Sequence, residues 1–150
     1  MSRRAWLGVG AAVVAIVAAW LVWDALVITD EERLEVFAEE VTGAVGPARV
    51  NGAIARWIDL DRQPFEVSAF GESLYYGPGE DAALAERAAA AVRELRGVNL
   101  RRMQTGITVE GDEARVSIRL LSRERGMGRA EWRLRRHGDD WLAEHLTVAR

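Results

Sequence analysis

The sequence predicts an α+β domain carried behind an N-terminal transmembrane helix, and three observations predict it. Residues 5–23, AWLGVGAAVVAIVAAWLVW, run for 19 positions without a charge. Further on, three stretches place apolar residues at helical spacing. After Gly97 the pattern changes to alternation punctuated by glycine turns, as in an antiparallel meander.

As a helix the first run reaches about 28 Å, the thickness of a bilayer's hydrocarbon core. Trp6 stands near one end and Trp20 and Trp23 near the other, where indoles favour the headgroup level. Arg3 and Arg4 precede the run, and Asp24, Asp30, Glu31 and Glu32 follow it. The positive-inside bias then keeps the N-terminus in the cytoplasm and exports the rest. No A-x-A cleavage pattern follows, so an uncleaved signal anchor is expected over residues 1–29, with an extracytoplasmic domain over 30–150. The expected setting is single-pass in the cytoplasmic membrane of a bacterial envelope, with the lipid bilayer as a partner.

The chain has no cysteine, which excludes a disulfide framework and a thiolate metal site. All 20 basic residues are arginine, which excludes chemistry needing a lysine amine. The net charge of −3 hides an asymmetry: residues 30–81 hold 12 acids and 4 Arg, and residues 82–150 hold 10 acids and 14 Arg. An acidic chain whose basic half is expected outside the cytoplasm argues against nucleic acid as a partner.

Thr29-x-x-Glu32 is a capping-box pattern, with Asp30 and Glu31 in the first turn where the helix dipole favours carboxylates. Leu34, Phe37 and Val41 mark one face, so a helix is expected over 30–45, continuous with the anchor as a rod. Gly43, Gly46 and Pro47 break it. Over 48–58, Val50, Ile54, Trp57 and Ile58 share a helical face, although alternation also allows a strand. Pro64 ends a turn, and residues 65–76 read as one or two strands bent at Gly71. Leu84, Ala88, Ala91, Val92 and Leu95 define a helix over 80–96, stopped by Gly97. Strands follow over 98–109, 114–121, 130–136 and 141–149, with turns at 110–113 and 137–140.

Two helices, a short β unit, a third helix and four antiparallel strands is the order found in the NTF2-like (SnoaL-type) superfamily. The closing hairpin EWRLRRHGDDWLAEHLTV is similar to that superfamily's ending. The resemblance implies a curved antiparallel sheet packed on three helices, with a conical pocket at its mouth. It covers catalytic members, such as isomerases, dehydratases and polyketide cyclases, and also non-catalytic binding and assembly modules.

Candidate chemistry gathers on the last strands. Strict alternation puts Glu144 among Leu142, Leu146 and Val148, and a carboxylate inside an apolar cone would serve as general acid or base. Against this stands a bulge, or an outward Glu144 paired with arginine on a neighbouring strand. His145 falls on the opposite face with Trp141, Ala143 and Thr147, and at most one of Glu144 and His145 points inward. Tyr75 and Tyr76 stand near the expected mouth, and Gln104 is a further polar group for it. Asp59-x-Asp61 and His137-x-Asp139 read as turns rather than metal sites. The chain lacks P-loop, HExxH and G-x-S-x-G patterns, and no cofactor or metal is expected.

Arg115, Arg119, Arg133 and Arg135 are expected to share the solvent face of adjacent strands, a surface of forks for carboxylates or phosphates. That face suits an acidic envelope protein or a second copy of the chain. The resulting expectation is a membrane-tethered interaction or scaffold module, docking through that face or binding a small apolar ligand in its cone. The alternative is a small isomerase or dehydratase using Glu144 or His145 as its base.

Overall fold

The structure is a computed structural model that describes residues 28–43 and 47–150. The expected membrane helix, with Trp6, Trp20 and Trp23, lies outside the described residues. Among the described residues no helix is long and apolar enough to cross a membrane. The described fold thus contains no transmembrane element, and the single-pass topology, the inner-membrane placement and the bilayer partner have no support in it. What remains is the α+β part, a sheet packed on three helices.

Helix α1 spans Asp30–Gly43. Its start is the expected capping box: Thr29 N donates to Glu32 Oε2 at 2.9 Å, and Glu32 N donates to Thr29 Oγ1 at 3.3 Å. Ile28 and Thr29 are not helical, so α1 begins at its own cap and does not continue a rod from upstream. Thr29→Ala should cost about 1 kcal/mol, read as a lower urea midpoint with an unchanged slope; an unshifted midpoint would show the cap to be idle. Leu34, Phe37 and Ala38 form the buried face. Helix α2, Pro47–Trp57, resolves the helix-or-strand alternative as helix. Glu40 clasps the two: its carboxylate accepts from Trp57 Nε1 at 2.6 Å and pairs with Arg56, which lies over the Trp57 ring.

Strands β1, Phe65–Ala69, and β2, Glu72–Tyr76, form a hairpin. Helix α3, Asp81–Glu94, follows and packs on α2, with Leu84 as its buried residue. Four long strands complete the chain: β3 Leu100–Glu110, β4 Glu113–Ser122, β5 Gly126–His137 and β6 Asp140–Ala149. The sheet order is β2-β1-β6-β5-β4-β3, antiparallel except where β1 runs parallel to β6.

The β1–β2 turn carries a local strain. Phe70 and Gly71 have φ of 53° and 86°, the geometry of a type I′ turn, which suits Asn-Gly far better than a bulky first residue. Phe70 is exposed, with the Arg150 guanidinium over its ring. Phe70→Asn should therefore stabilise the fold by about 0.5–1 kcal/mol; a loss of stability in thermal unfolding would mean the ring contact outweighs the strain.

One face of the sheet closes on the helices. Phe65, Ala114, Val116, Ile118, Leu134 and Ala143 are buried there, with Trp132 and Leu146 packed beside them. Aromatic rings fill the centre. Phe37 meets Trp57 edge-on at 5.1 Å and Trp132 at 5.2 Å, and Phe65 stacks on Trp132 at 6.1 Å. These rings pack together on the inner face, where the resemblance implied a conical pocket.

Candidate functional site

The outer face of the sheet is polar because β4 and β5 alternate. With Val116, Ile118, Trp132 and Leu134 turned inward, Arg115, Ser117, Arg119, Glu131, Arg133 and Arg135 turn outward. The register joins these residues into rows across the sheet. Arg115 opposes Arg133, Arg133 opposes His145, and His145 is level with Glu66. The next row is Ser117, Glu131, Thr147 and Ser68. Between them lies an open depression of about 210 Å³ lined by Arg115, Glu131, Arg133, His145 and Thr147.

A bulge decides what Glu144 and His145 do. Arg133 pairs with His145 but Leu134 pairs with Ala143, so Glu144 is an extra residue in β6. The bulge switches the strand's faces: Trp141 and Ala143 are buried in the core, while His145 and Thr147 stand on the outer face. Glu144 does not enter the core. One of its oxygens lies 3.5 Å from Arg133 Nε and the other accepts from Arg135 Nε at 3.2 Å. Glu144 and His145 thus share a face, which strict alternation forbids and a bulge allows.

Hydrogen bonds set the His145 ring. Its Nδ1 lies 3.2 Å from Arg133 Nη2, and its Nε2 lies 3.2 Å from Ser68 Oγ and 3.4 Å from Thr147 Oγ1. A guanidinium only donates, so Nδ1 accepts and the proton of the neutral ring sits on Nε2. Nε2–H then donates to Ser68 Oγ, which is 2.9 Å from Ser73 Oγ. That polarity is opposite to what a serine nucleophile needs, since the imidazole offers Ser68 a proton instead of accepting one.

Arg135 is held above its ordinary value by Glu144 first and by Glu113 less strongly. Glu113 meets it at 3.1 Å from β4. Arg129 is tied to Glu131 at 3.0 Å. Arg115 and Arg119 form no ion pair among the described residues. At the β4–β5 turn, the hydroxyl of buried Ser122 draws Glu124 below the usual carboxylate range.

The remaining candidates stand apart. Tyr75 is 65% exposed on β2, opposite Glu66, while Tyr76 is buried in the core. Gln104 is exposed on β3. Asp59 caps its own turn, accepting from the backbone N of Asp61 and Arg62. His137 bonds to Gln63, and the Asp139 carbonyl accepts from Arg33. Among the described residues no cluster of metal-ligating side chains forms. Sequence reasoning missed Ser68, Glu131 and Thr147. Thr147 was legible from its alternation with His145, whereas Ser68 arrives through the parallel β1–β6 pairing, which no local pattern announces.

No family model matches the chain, and no curated protein matches its sequence. Solved structures match its fold. An NTF2-like protein of Streptomyces avermitilis, provisionally assigned as a dehydratase, is 14% identical over 78% of this chain and 92% of its own, with a TM-score of 0.60. A protein of Shewanella frigidimarina, provisionally assigned as a ketosteroid isomerase, is 12% identical over 75% and 91%, with a TM-score of 0.58. An NTF2-like protein of Cytophaga hutchinsonii is 12% identical over 81% and 98%, with a TM-score of 0.56. Both kinds of protein, with an assigned activity and without one, share this architecture. The membrane-tethered scaffold reading is corrected here: among the described residues no helix offers a span for a tether. At these identities the comparison establishes architecture alone, and the architecture is the NTF2-like fold.

Proposed function

We propose that this chain is a small-molecule-binding NTF2-like domain whose ligand sits on the outer face of the sheet, against the row Arg115–Arg133–His145. The observation that carries the reading is the contrast between the two faces. Inside, four aromatic rings touch one another and fill the centre. Outside, a depression is lined entirely by charged and polar side chains, with Glu144 and Ser68 fixing the orientation of Arg133 and His145. Groups pre-oriented around a small hollow are what ligand recognition requires.

Titrating the labelled chain with a mixture of small polar fragments, followed by NMR, tests this. The His145 ring and Arg115 guanidinium signals should move while the Trp132 indole and Leu134 methyls stay still. Movement confined to the Trp132 and Leu134 signals would put the ligand inside and overturn the reading.

An isomerase- or dehydratase-type reaction at the same place is the second reading, supported by the assigned activities of two structural neighbours. In that reading His145 would donate Nε2–H to a developing oxyanion, and Glu144, held by two guanidiniums, would orient them. Following bound fragments in heavy water separates the two: solvent exchange at a fragment's C–H that depends on the chain marks an enzyme, and an unchanged fragment marks a binding module.

A further inference from the structure

We infer that the ligand of the outer-face site is a small monocarboxylate that also carries a hydrogen-bond donor, in the class of hydroxy acids and amino acids; this rests on the outer-face reading and names its ligand. The first support is a like-charge pair. Arg115 and Arg133 are direct partners on adjacent antiparallel strands, an arrangement that repels unless something negative lies between or above the two groups. Arg133 has Glu144 for this purpose. Arg115 has no ion pair or side-chain hydrogen bond among the described residues, yet it lines the depression. Its planar fork is matched to a carboxylate, which takes two parallel N–H donors.

The second support lies at the other end of the hollow. Glu131 gives one oxygen, Oε2, to Arg129 and has its other oxygen for a donor. Thr147 lies beside it in the same row. A ligand anchored by its carboxylate on Arg115 would therefore present a hydroxyl or ammonium group toward Glu131. With Arg133 paired to Glu144 and Glu131 to Arg129, the Arg115 guanidinium is the charge left to balance, which suits a monoanion; a dianion would press a second negative charge on Glu131. The space, about 210 Å³, equals about seven water volumes. It has no apolar wall for a long hydrocarbon tail.

The test is a set of NMR titrations with four probes: L-lactate, propionate, L-lactamide and inorganic phosphate. Lactate should shift the His145 ring and bind at least about tenfold more tightly than propionate, which lacks the donor, and lactamide, which lacks the charge. Arg115→Ala should abolish lactate binding, and Glu131→Gln should erase most of the preference over propionate. Arg119→Ala is the control, an exposed arginine on the same strand outside the depression, and should change nothing. Lactamide binding as tightly as lactate would overturn the monocarboxylate while leaving the outer-face site standing. Phosphate binding more tightly than lactate would replace the carboxylate by a phosphoryl ligand. If none of the four moves His145, the inference falls; if fragments also move only the Trp132 signals, the outer-face reading falls with it.

Discussion

Phe37→Ala is expected to lower the free energy of unfolding by about 3–5 kcal/mol, a large part of the 5–15 kcal/mol typical of a domain. The ring is fully buried and stands where α1, α2 and β5 meet. It touches Trp57 on α2 and Trp132 on β5 edge-on, at angles of 80° and 87°, the arrangement aromatic quadrupoles prefer. Truncation removes the transfer energy of the side chain and leaves a hollow that two large, rigid indoles cannot collapse into. Phe37→Leu should cost markedly less, because most of the volume is kept. Urea unfolding followed by tryptophan fluorescence reads both. A loss below about 1 kcal/mol for the alanine variant would mean the interior is looser than described and has room for a ligand after all.

Asp30→Ala should cost about 2 kcal/mol, from two bonds to a charged group, discounted because the carboxylate is partly exposed. Asp30 ties the start of α1 to the closing hairpin: Oδ1 accepts from Trp141 Nε1 at 3.0 Å, and Oδ2 pairs with Arg136. Arg136 lies over the Trp141 ring at 4.8 Å, and its Nε is buried without a partner among the described residues. Without the carboxylate, an indole N–H and a guanidinium would be left facing each other's surroundings unpaired. A double-mutant cycle with Trp141→Phe isolates the shared term. Strict additivity of the two losses would remove the claim that one carboxylate serves both groups.

Local patterns were readable where local physics decides them. Thr29 and Glu32 spelled out the cap of α1, because both partners lie within four residues. Arg115, Arg119, Arg133 and Arg135 were assigned to one face because alternation follows directly from the pleat. Position 144 was left open between the apolar face and a bulge with an arginine partner, for the opposite reason, and the structure takes the second. The bulge there is fixed by how β6 meets β5, and two arginines on β5 make the outward position favourable for Glu144. Ser68 reaches His145 only through a parallel pairing with β1, 77 residues away in sequence. The filling of the interior was equally hidden, since Phe37, Trp57, Phe65 and Trp132 come from four separate elements and meet only in the folded chain. The apolar run over residues 5–23 was the loudest signal in the sequence, yet it lies outside the described residues.

Which face of the sheet receives the ligand is the central question for this fold. The most direct measurement is a crystal structure of the chain soaked in L-lactate, refined without assuming a position for it. Density is expected against the Arg115 fork and the His145 ring, with Phe37 still in contact with the rings of Trp57 and Trp132. A ligand lodged among those rings, with the Arg115 fork bare, would contradict that expectation.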